Sequence, residues 1–254
     1  MDVYEAVEQH YNLREFGIDW RDGERTVHEV WRLHPERRFN SYAISSLYIF
    51  ASQFVPPNAT ILELGCGTGF GSYMLAGKTK CKEMIGVDLD LGAVSYGQGR
   101  FKRPNLTLLQ TNIHDASLDD LKGKVDFVYC SNVMEHIGEY EKAVARVYDL
   151  LKPLGQYFHV TPPSGDAGGN KYHVTNMKIP KWKKILENNR FYSQRFFSHL
   201  NDVSRDMVQS EYDFTFTECG PDDMFPSSGL GSISGIILAR KSKNPNEVFA
   251  QQAL

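Results

Sequence analysis

The chain has few cysteines, no long apolar run and almost no excess of charge. Its 254 residues include four cysteines without a C-x-x-C pair, which disfavours a zinc site or a disulfide framework. The net charge of −3 offers no basic surface, so we expect no nucleic-acid partner. The first residues lack the basic and apolar regions of a secretory signal, and no segment reaches membrane-spanning length. We therefore expect a cytoplasmic protein that does not insert into membranes.

What the chain does have is a glycine-rich turn after an apolar strand, at residues 61–69 (Ile-Leu-Glu-Leu-Gly-Cys-Gly-Thr-Gly). Glycines at every second position let the main chain turn sharply and bring a ligand against its N–H groups. The spacing departs from the dinucleotide pattern G-x-G-x-x-G, because Phe70 and Ser72 stand where the third glycine would fall. A nicotinamide or flavin site is weakened by this departure but stays open.

A second apolar segment, residues 84–88, ends in the carboxylate of Asp88. An acid at the carboxyl end of the second strand can accept both hydroxyl protons of a ribose. Asp90 is the competing candidate, but its position suits the N-cap of a helix from about Gly92 to Phe101. We therefore predict Asp88 as the ribose ligand.

Short apolar segments alternate with helix-length segments, which predicts an α/β fold with a doubly wound, mostly parallel sheet of seven strands. One helix, from Glu139 to Leu151, has a clear apolar face and is ended by Lys152-Pro153. Another helix should begin at Thr175 or Asn176, with Pro180 in its first turn. The expected strands cover residues 59–64, 84–88, 106–110, 125–130 and 154–161, then either 191–197 or 212–217, and finally 234–239.

Four motifs in this order resemble the class I S-adenosylmethionine-dependent methyltransferases. They are residues 63–69, Gly86-Val-Asp88, residues 126–136 and residues 150–155. The resemblance covers about residues 55 to 190. It implies that the glycine turn holds the amino-acid end of S-adenosylmethionine and that Asp88 holds the ribose. The cofactor-binding residues predicted in this way are Glu63, Gly65, Cys66, Gly67, Gly69, Asp88, Leu89, Asn112, Ile113 and Ser131.

Within that set, the resemblance gives Leu89 one face of the adenine and gives Asn112 and Ile113 its edge. The family usually has an aspartate where Asn112 stands, which changes the hydrogen bonds offered to the exocyclic amine. Ser131, directly after the fourth strand, would reach the methionine portion.

Two histidines are candidates for a general base, which methyl transfer to a hydroxyl requires. His136 precedes the helix that begins near Glu139, and His173 lies in the loop after the fifth strand. Both should open at the carboxyl edge of the sheet, where α/β folds bind ligands. We expect His136 to be the base, because a helix N-terminus disfavours a positive charge on its ring. A purely structural role for His136 stays open, and Glu135 is expected to orient it or to be a surface acid.

We expect three segments: a helical cap at residues 1–55, the cofactor-binding methyltransferase domain at 56–243, and a tail at 244–254. Side chains of the cap such as Tyr11, Arg37 and Arg38 are candidates for substrate contacts. Residues 161–174 form a long loop after the fifth strand and are the predicted substrate loop. Residues 226–232 resemble a mobile loop.

A finer resemblance links residues 23–25, 67–72 and 170–174 to bacterial methyltransferases that modify sugars and surface glycans. It favours an O-methyltransferase acting on a polar small molecule or a sugar or glycan hydroxyl. Amines and natural-product or quinone hydroxyls are alternative acceptors. A nicotinamide-dependent oxidoreductase and a non-catalytic cofactor-binding module are the other functions left open. No Asp, Glu and His set with metal-ligand spacing appears, so we expect no metal. The sequence leaves the oligomeric state open.

Overall fold

The computed structural model describes residues 8–19, 27–33, 35–162, 172–175, 178–201, 214–222 and 232–243. It divides into two compact units, Met1–Asn112 and Ile113–Leu254. The predictions for residues 23–25, for most of the 161–174 loop, for residues 226–231 and for the tail after residue 243 lie outside the described residues. In the part of the chain that is described, no helix is both long and apolar enough to cross a membrane.

The first unit contains three strands among its described residues, and helical residues 8–10 are followed by four further α-helices. A short 3-10 helix at Leu13–Phe16 precedes them. The elements are α1 (His28–Trp31), α2 (Pro35–Ser52), β1 (Thr60–Leu64), α3 (Phe70–Lys78), β2 (Glu83–Asp88), α4 (Leu91–Arg100) and β3 (Leu106–Gln110).

The three strands of this unit pair in parallel, with β2 between β1 and β3. The register places Glu63 beside Gly86 and Asp88 beside Gln110. Every residue of β1 is buried, as expected for a parallel strand covered on both faces. The carboxyl ends of β1 and β2 therefore lie side by side, and the glycine turn and Asp88 follow from those ends.

The described residues before β1 include helical segments, and the prediction that residues 1–55 form a cap stays a prediction. Leu13, Ile18, Val27 and Trp31 bury their side chains in one cluster with Tyr96 of α4. A Cβ added at Gly92 would lie 1.9 Å from the carbonyl oxygen of Phe16, so the N-terminal segment touches the first turn of α4 directly. The segment is thus tied to the helix that follows β2.

The second unit contains five strands and two α-helices among its described residues. Two 3-10 helices, Ala116–Leu121 and Met134–His136, flank β4. The elements are β4 (Val125–Ser131), α5 (Tyr140–Leu150), β5 (Leu151–Thr161), α6 (Ile179–Asn188), β6 (Phe191–Asn201), β7 (Phe214–Cys219) and β8 (Ser232–Lys241). Strands β4 and β5 are parallel, whereas β8 is antiparallel to β5 and β6, and β7 is antiparallel to β6.

The structure confirms the predicted α/β class and changes three details. Both candidates for the sixth strand form strands, so the described residues hold eight strands and not seven. Strand β5 begins at Leu151 and includes Pro153, three residues earlier than expected, because α5 already ends at Leu150. The N-cap of α6 is Lys178, not Thr175 or Asn176, although Pro180 does occupy the first turn.

Candidate functional site

The glycine turn between β1 and α3 has left-handed backbone at three alternate positions. The φ angles are 70° at Gly65, 53° at Gly67 and 80° at Gly69, which side-chain-bearing residues rarely adopt. A Cβ on Gly69 would lie 2.4 Å from Leu108 Cδ1, so packing on β3 also requires glycine there. A Cβ on Gly67 would meet nothing within 4 Å. The main chain at Gly67 therefore faces open space.

Asp88 holds the glycine turn to the end of β2. Its Oδ2 accepts a hydrogen bond from the Gly67 N–H at 2.8 Å, and its Oδ1 accepts one from the Asp90 N–H at 2.9 Å. The Val87 carbonyl accepts two further bonds, from the N–H groups of Gly65 at 2.8 Å and Cys66 at 3.0 Å. A carboxylate has about four lone-pair sites, so the half-buried Asp88 retains acceptor capacity for two hydroxyls.

Leu89 and Asn112 lie beside Asp88. The Asp88 carbonyl accepts a bond from the Thr111 N–H at 2.9 Å, which brings the residue before Asn112 to the end of β2. Leu89 is 63% exposed, an unusual position for a leucine directly after a buried strand. Asp90 is the N-cap of α4, as predicted, and accepts from the Ala93 N–H at 3.0 Å.

Glu63 is buried, and hydroxyl groups bond both of its carboxylate oxygens. Tyr48 of α2 donates to Oε1 at 2.5 Å, and Ser72 of α3 donates to Oε2. Burial raises the pKa of Glu63 to about 7, against the opposing effect of the two hydrogen bonds, and the nearby Asp88 charge raises it further. Glu63 thus joins α2 and α3 to the end of β1. A direct cofactor contact by Glu63 stays a prediction.

Cys66 contributes packing to the turn. Its side chain is 6% exposed and lies in a small cluster with Val94 and Leu108. Burial raises the pKa of the Cys66 thiol well above its usual value, so it remains protonated at neutral pH.

The candidate substrate residues of the N-terminal segment have partners within their own unit. The Arg37 guanidinium lies 5.4 Å from the ring centre of Trp31, and Arg38 Nε donates to the Arg32 carbonyl at 3.1 Å. The Arg100 guanidinium lies 4.8 Å from the ring centre of Tyr11. Their roles toward a substrate stay predictions.

In the second unit, the Arg146 side chain holds the backbone at Ile113, a contact that the sequence does not predict. Arg146 of α5 donates from Nε to the Ile113 carbonyl at 3.2 Å and from Nη2 to the Asp115 carbonyl at 3.1 Å. The same Nη2 pairs with Asp119 Oδ1 at 2.6 Å. Ser131 ends β4, where its hydroxyl accepts a bond from the Asn132 side chain at 3.4 Å.

Glu135, His136 and His173 form a cluster just after β4. One ligand atom from each residue lies within 4.8 Å of the other two. The two imidazole rings meet edge to face, with their centres 5.0 Å apart. Glu135 is 5% exposed, so the alternative prediction that Glu135 is a surface acid is wrong. The sequence spacing does not reveal this set, because the fold brings His173 to the other two residues. The expected absence of a metal stays a prediction.

Backbone hydrogen bonds hold this cluster together. The Glu135 carbonyl accepts from the N–H groups of Val174 at 2.9 Å and Thr175 at 3.0 Å. His136 Nδ1 lies 3.1 Å from the Tyr172 carbonyl oxygen, and a carbonyl can only accept. In a neutral ring this hydrogen bond assigns the proton to Nδ1 and the lone pair to Nε2. These bonds anchor the chain on both sides of His173, which is far from His136 in sequence.

Residues 61–155 match the sequence profile of the methyltransferase domain family. A probable S-adenosylmethionine-dependent methyltransferase of Mycolicibacterium smegmatis is 27% identical over 133 residues, half of this chain and 49% of that protein. A similarly described protein of Mycobacterium tuberculosis is 27% identical over 172 residues, 65% of this chain and 58% of that protein. The matches thus span only about half of the length of these relatives.

Solved structures share the fold of this chain. A structure from Thermotoga maritima, described as a SAM-dependent methyltransferase and possible histamine N-methyltransferase, matches with a TM-score of 0.60. It is 16% identical, and the match covers 88% of this chain and all of that one. A SAM-dependent methyltransferase of Archaeoglobus fulgidus matches with a TM-score of 0.57 at 16% identity, over 78% of this chain and 94% of that one.

Residues 61–155 match a methyltransferase domain in sequence, and the fold is that of the class I S-adenosylmethionine-dependent methyltransferases. The groups at the ends of β1 and β2 fit its cofactor: acceptor oxygens of Asp88 for ribose hydroxyls, an exposed apolar face at Leu89 for adenine, and open main chain at Gly67. The cofactor of this domain is therefore S-adenosylmethionine.

Proposed function

We propose that this protein transfers the methyl group of S-adenosylmethionine to a hydroxyl of a polar small molecule, with a sugar or glycan hydroxyl as the leading acceptor. The main support for the proposal is the hydrogen bond from the Gly67 N–H to the Asp88 carboxylate, at 2.8 Å. This bond joins the glycine turn to the end of β2, and both residues lie in the segment that matches the methyltransferase profile. A dinucleotide oxidoreductase would use the same acid, but it lacks support from the glycine spacing.

S-adenosylmethionine supplies a methyl group on a sulfonium, which is an excellent leaving group. The work of the chain is to bind the cofactor, to orient the acceptor and to remove its proton. Asp88 would hold the ribose hydroxyls, Leu89 would cover one adenine face, and the turn around Gly67 would meet the amino-acid end.

A hydroxyl acceptor needs a base, and His136 is the proposed one. The Tyr172 carbonyl, 3.1 Å from Nδ1, supports the tautomer whose Nε2 accepts a proton. His173 is the alternative base, because its ring centre lies 5.0 Å from that of His136. Glu135 would orient this pair. The proton taken from the acceptor oxygen would pass to imidazole as the new oxygen–carbon bond forms.

The acceptor class rests on the resemblance to sugar-modifying methyltransferases. Named relatives include a ubiquinone biosynthesis O-methyltransferase of Saccharomyces cerevisiae and an (S)-coclaurine N-methyltransferase of Papaver somniferum, each 25% identical or less. Quinol hydroxyls and amines are therefore the acceptors to compare with sugars.

The experiment is a transfer assay with S-adenosylmethionine labelled in its methyl group, on panels of sugars, nucleotide sugars, quinols and amines. We expect product from a sugar or another polar hydroxyl compound, and His136→Ala should bind cofactor normally but lose turnover. His114→Ala, which removes an exposed imidazole outside the cluster, is the matched control. Turnover of amines alone would overturn the O-specificity, and normal turnover by His136→Ala would remove it as the base.

A further inference from the structure

The cluster after β4 combines one carboxylate with two imidazoles. Two histidines and one acid form a ligand set that suits Zn²⁺ and other first-row divalent ions, and it leaves a coordination position open. The residues lie on the 3-10 helix Met134–His136 and on the segment that is bonded to it, so all three ligands belong to one unit.

We propose that Glu135, His136 and His173 bind a divalent transition-metal ion. Ligand atoms about 2.1 Å from a tetrahedral ion lie about 3.4 Å from one another. The three ligand atoms here lie within 4.8 Å of one another, so to bind one ion they would have to approach each other by at most about 1.4 Å.

The surroundings of His136 provide a second, independent observation. A histidine that binds a metal usually donates its other ring N–H to a carboxylate or a backbone carbonyl, which fixes the tautomer and the ring orientation. Nδ1 of His136 makes this bond with the Tyr172 carbonyl at 3.1 Å, so Nε2 is the ligand atom. The carbonyl that supports one histidine ligand belongs to the residue next to the other.

The backbone also holds the third ligand in place before any ion arrives. The carbonyl of Glu135 accepts N–H bonds from Val174 and Thr175 at 2.9 and 3.0 Å, and the Thr175 hydroxyl bonds the same oxygen at 3.3 Å. His173 is thereby fixed next to Glu135, so little conformational entropy is lost when the ion binds. A divalent cation would also compensate the negative charge of a carboxylate that is 5% exposed.

The test is calorimetric titration of the metal-stripped full chain with Zn²⁺, Mn²⁺ and Mg²⁺, each alone and without cofactor or acceptor. We expect one Zn²⁺ or Mn²⁺ ion per chain and weaker binding of Mg²⁺, which prefers oxygen ligands. His173→Ala and Glu135→Gln should each lower the affinity about 100-fold or more, beyond the 10–100-fold cost of losing an outer-shell partner. His114→Ala and Glu139→Gln, outside the cluster, should retain wild-type affinity.

A thermal melt of each variant without metal verifies its fold, and added Zn²⁺ should raise the melting temperature of the wild type but not of His173→Ala. Equal affinity in His173→Ala and His114→Ala would overturn the proposal, since the ion would then bind elsewhere. Binding of no ion at all would overturn it too. The titration is independent of methyl transfer, because cofactor and acceptor are absent from it. The two roles of His136 exclude each other, since an ion bound to Nε2 takes the lone pair with which the metal-free ring would accept a proton.

Discussion

The carboxylate of Asp88 accepts a hydrogen bond from the backbone N–H of Gly67 at 2.8 Å, which joins the end of β2 to the turn that follows β1. One acid therefore has two tasks. It fixes the shape of the glycine turn through one set of lone pairs and, in the proposed function, bonds the ribose hydroxyls of the cofactor through the others.

Two replacements of Asp88 should weaken cofactor binding to different extents. Asp88→Ala removes both backbone bonds and the ribose acceptor, so we expect a loss of S-adenosylmethionine affinity of about 100-fold, from charged hydrogen bonds of about 1.5–3 kcal/mol each. Asp88→Asn keeps one acceptor oxygen and should lose less. Calorimetry measures both, with Asp126→Asn, whose acid pairs with Lys152, as the control. Cofactor binding by Asp88→Ala within about threefold of wild type would refute the assignment.

Two glycines of the turn should respond differently to an added methyl group. Gly67→Ala has open space for its Cβ but a φ of 53°, so it should cost only about 1–2 kcal/mol of unfolding free energy. Its methyl group would nevertheless cover the main chain offered to the cofactor and weaken binding. Gly69→Ala would place Cβ 2.4 Å from Leu108 Cδ1, and we expect it to destabilise the fold more. Urea denaturation and calorimetry together make the comparison, and a Gly67→Ala that binds cofactor normally would contradict this description of the turn.

Glu63 should make the fold less stable as the pH rises. Its folded pKa of about 7 lies above its ordinary 4.5, so between these values the folded chain holds a proton that the unfolded chain has released. Stability from this group is complete below about pH 4.5 and falls by about 1.4 kcal/mol per unit up to pH 7, about 3 kcal/mol in all. Glu63→Gln cannot release a proton, so the difference in unfolding free energy from wild type should change over this range.

Urea denaturation at intervals from pH 4.5 to 8 measures that difference. Glu83→Gln, at the first residue of β2, is the control. Buried histidines such as His159 affect stability in the opposite direction, because burial lowers the pKa of His159 to about 3. Their contribution is the same in wild type and variant, so it cancels in the difference. A constant difference across the range would show that the proton on Glu63 does not contribute.

Arg146 should control the order of the segment that follows β3. It bonds the Ile113 and Asp115 carbonyls and pairs with Asp119, and its side chain is only 12% exposed. Arg146→Met keeps the apolar stem and leaves those carbonyls without their donor, at a cost of about 1–3 kcal/mol. We expect faster amide hydrogen exchange over residues 113–121 and a lower free energy of unfolding. Lys142→Met, an exposed pair with Glu139, should change neither measurement.

The sequence predicts well what depends on local pattern. Asp90 caps α4 because a short side-chain acceptor before a helix satisfies an open N–H. Ile179, Trp182 and Ile185 are all buried, because helical spacing puts them on one face of α6. The sixth strand is ambiguous in sequence because both candidate segments are β-rich, and both are strands.

Partners from distant segments are what the sequence does not predict. Tyr48 donates to Glu63, but nothing in the pattern of α2 distinguishes that tyrosine from its neighbours. The shared ligand site of His136 and His173 is missed for a different reason. Metal-ligand spacing in sequence identifies ligands within one segment, whereas these two histidines lie on different segments. Hydrogen bonds from the Val174 and Thr175 N–H groups to the Glu135 carbonyl bring the two segments together. The sequence does predict that both histidines lie at the carboxyl edge of the sheet, because both follow parallel strands, but it does not predict that their ligand atoms share one site.

The most direct test of the account is a calorimetric titration of the full chain with S-adenosylhomocysteine, with NAD as the comparison ligand. We expect one site for S-adenosylhomocysteine, lost in Asp88→Ala, and no heat of binding from NAD. Binding of NAD without binding of S-adenosylhomocysteine would contradict the assignment of the cofactor.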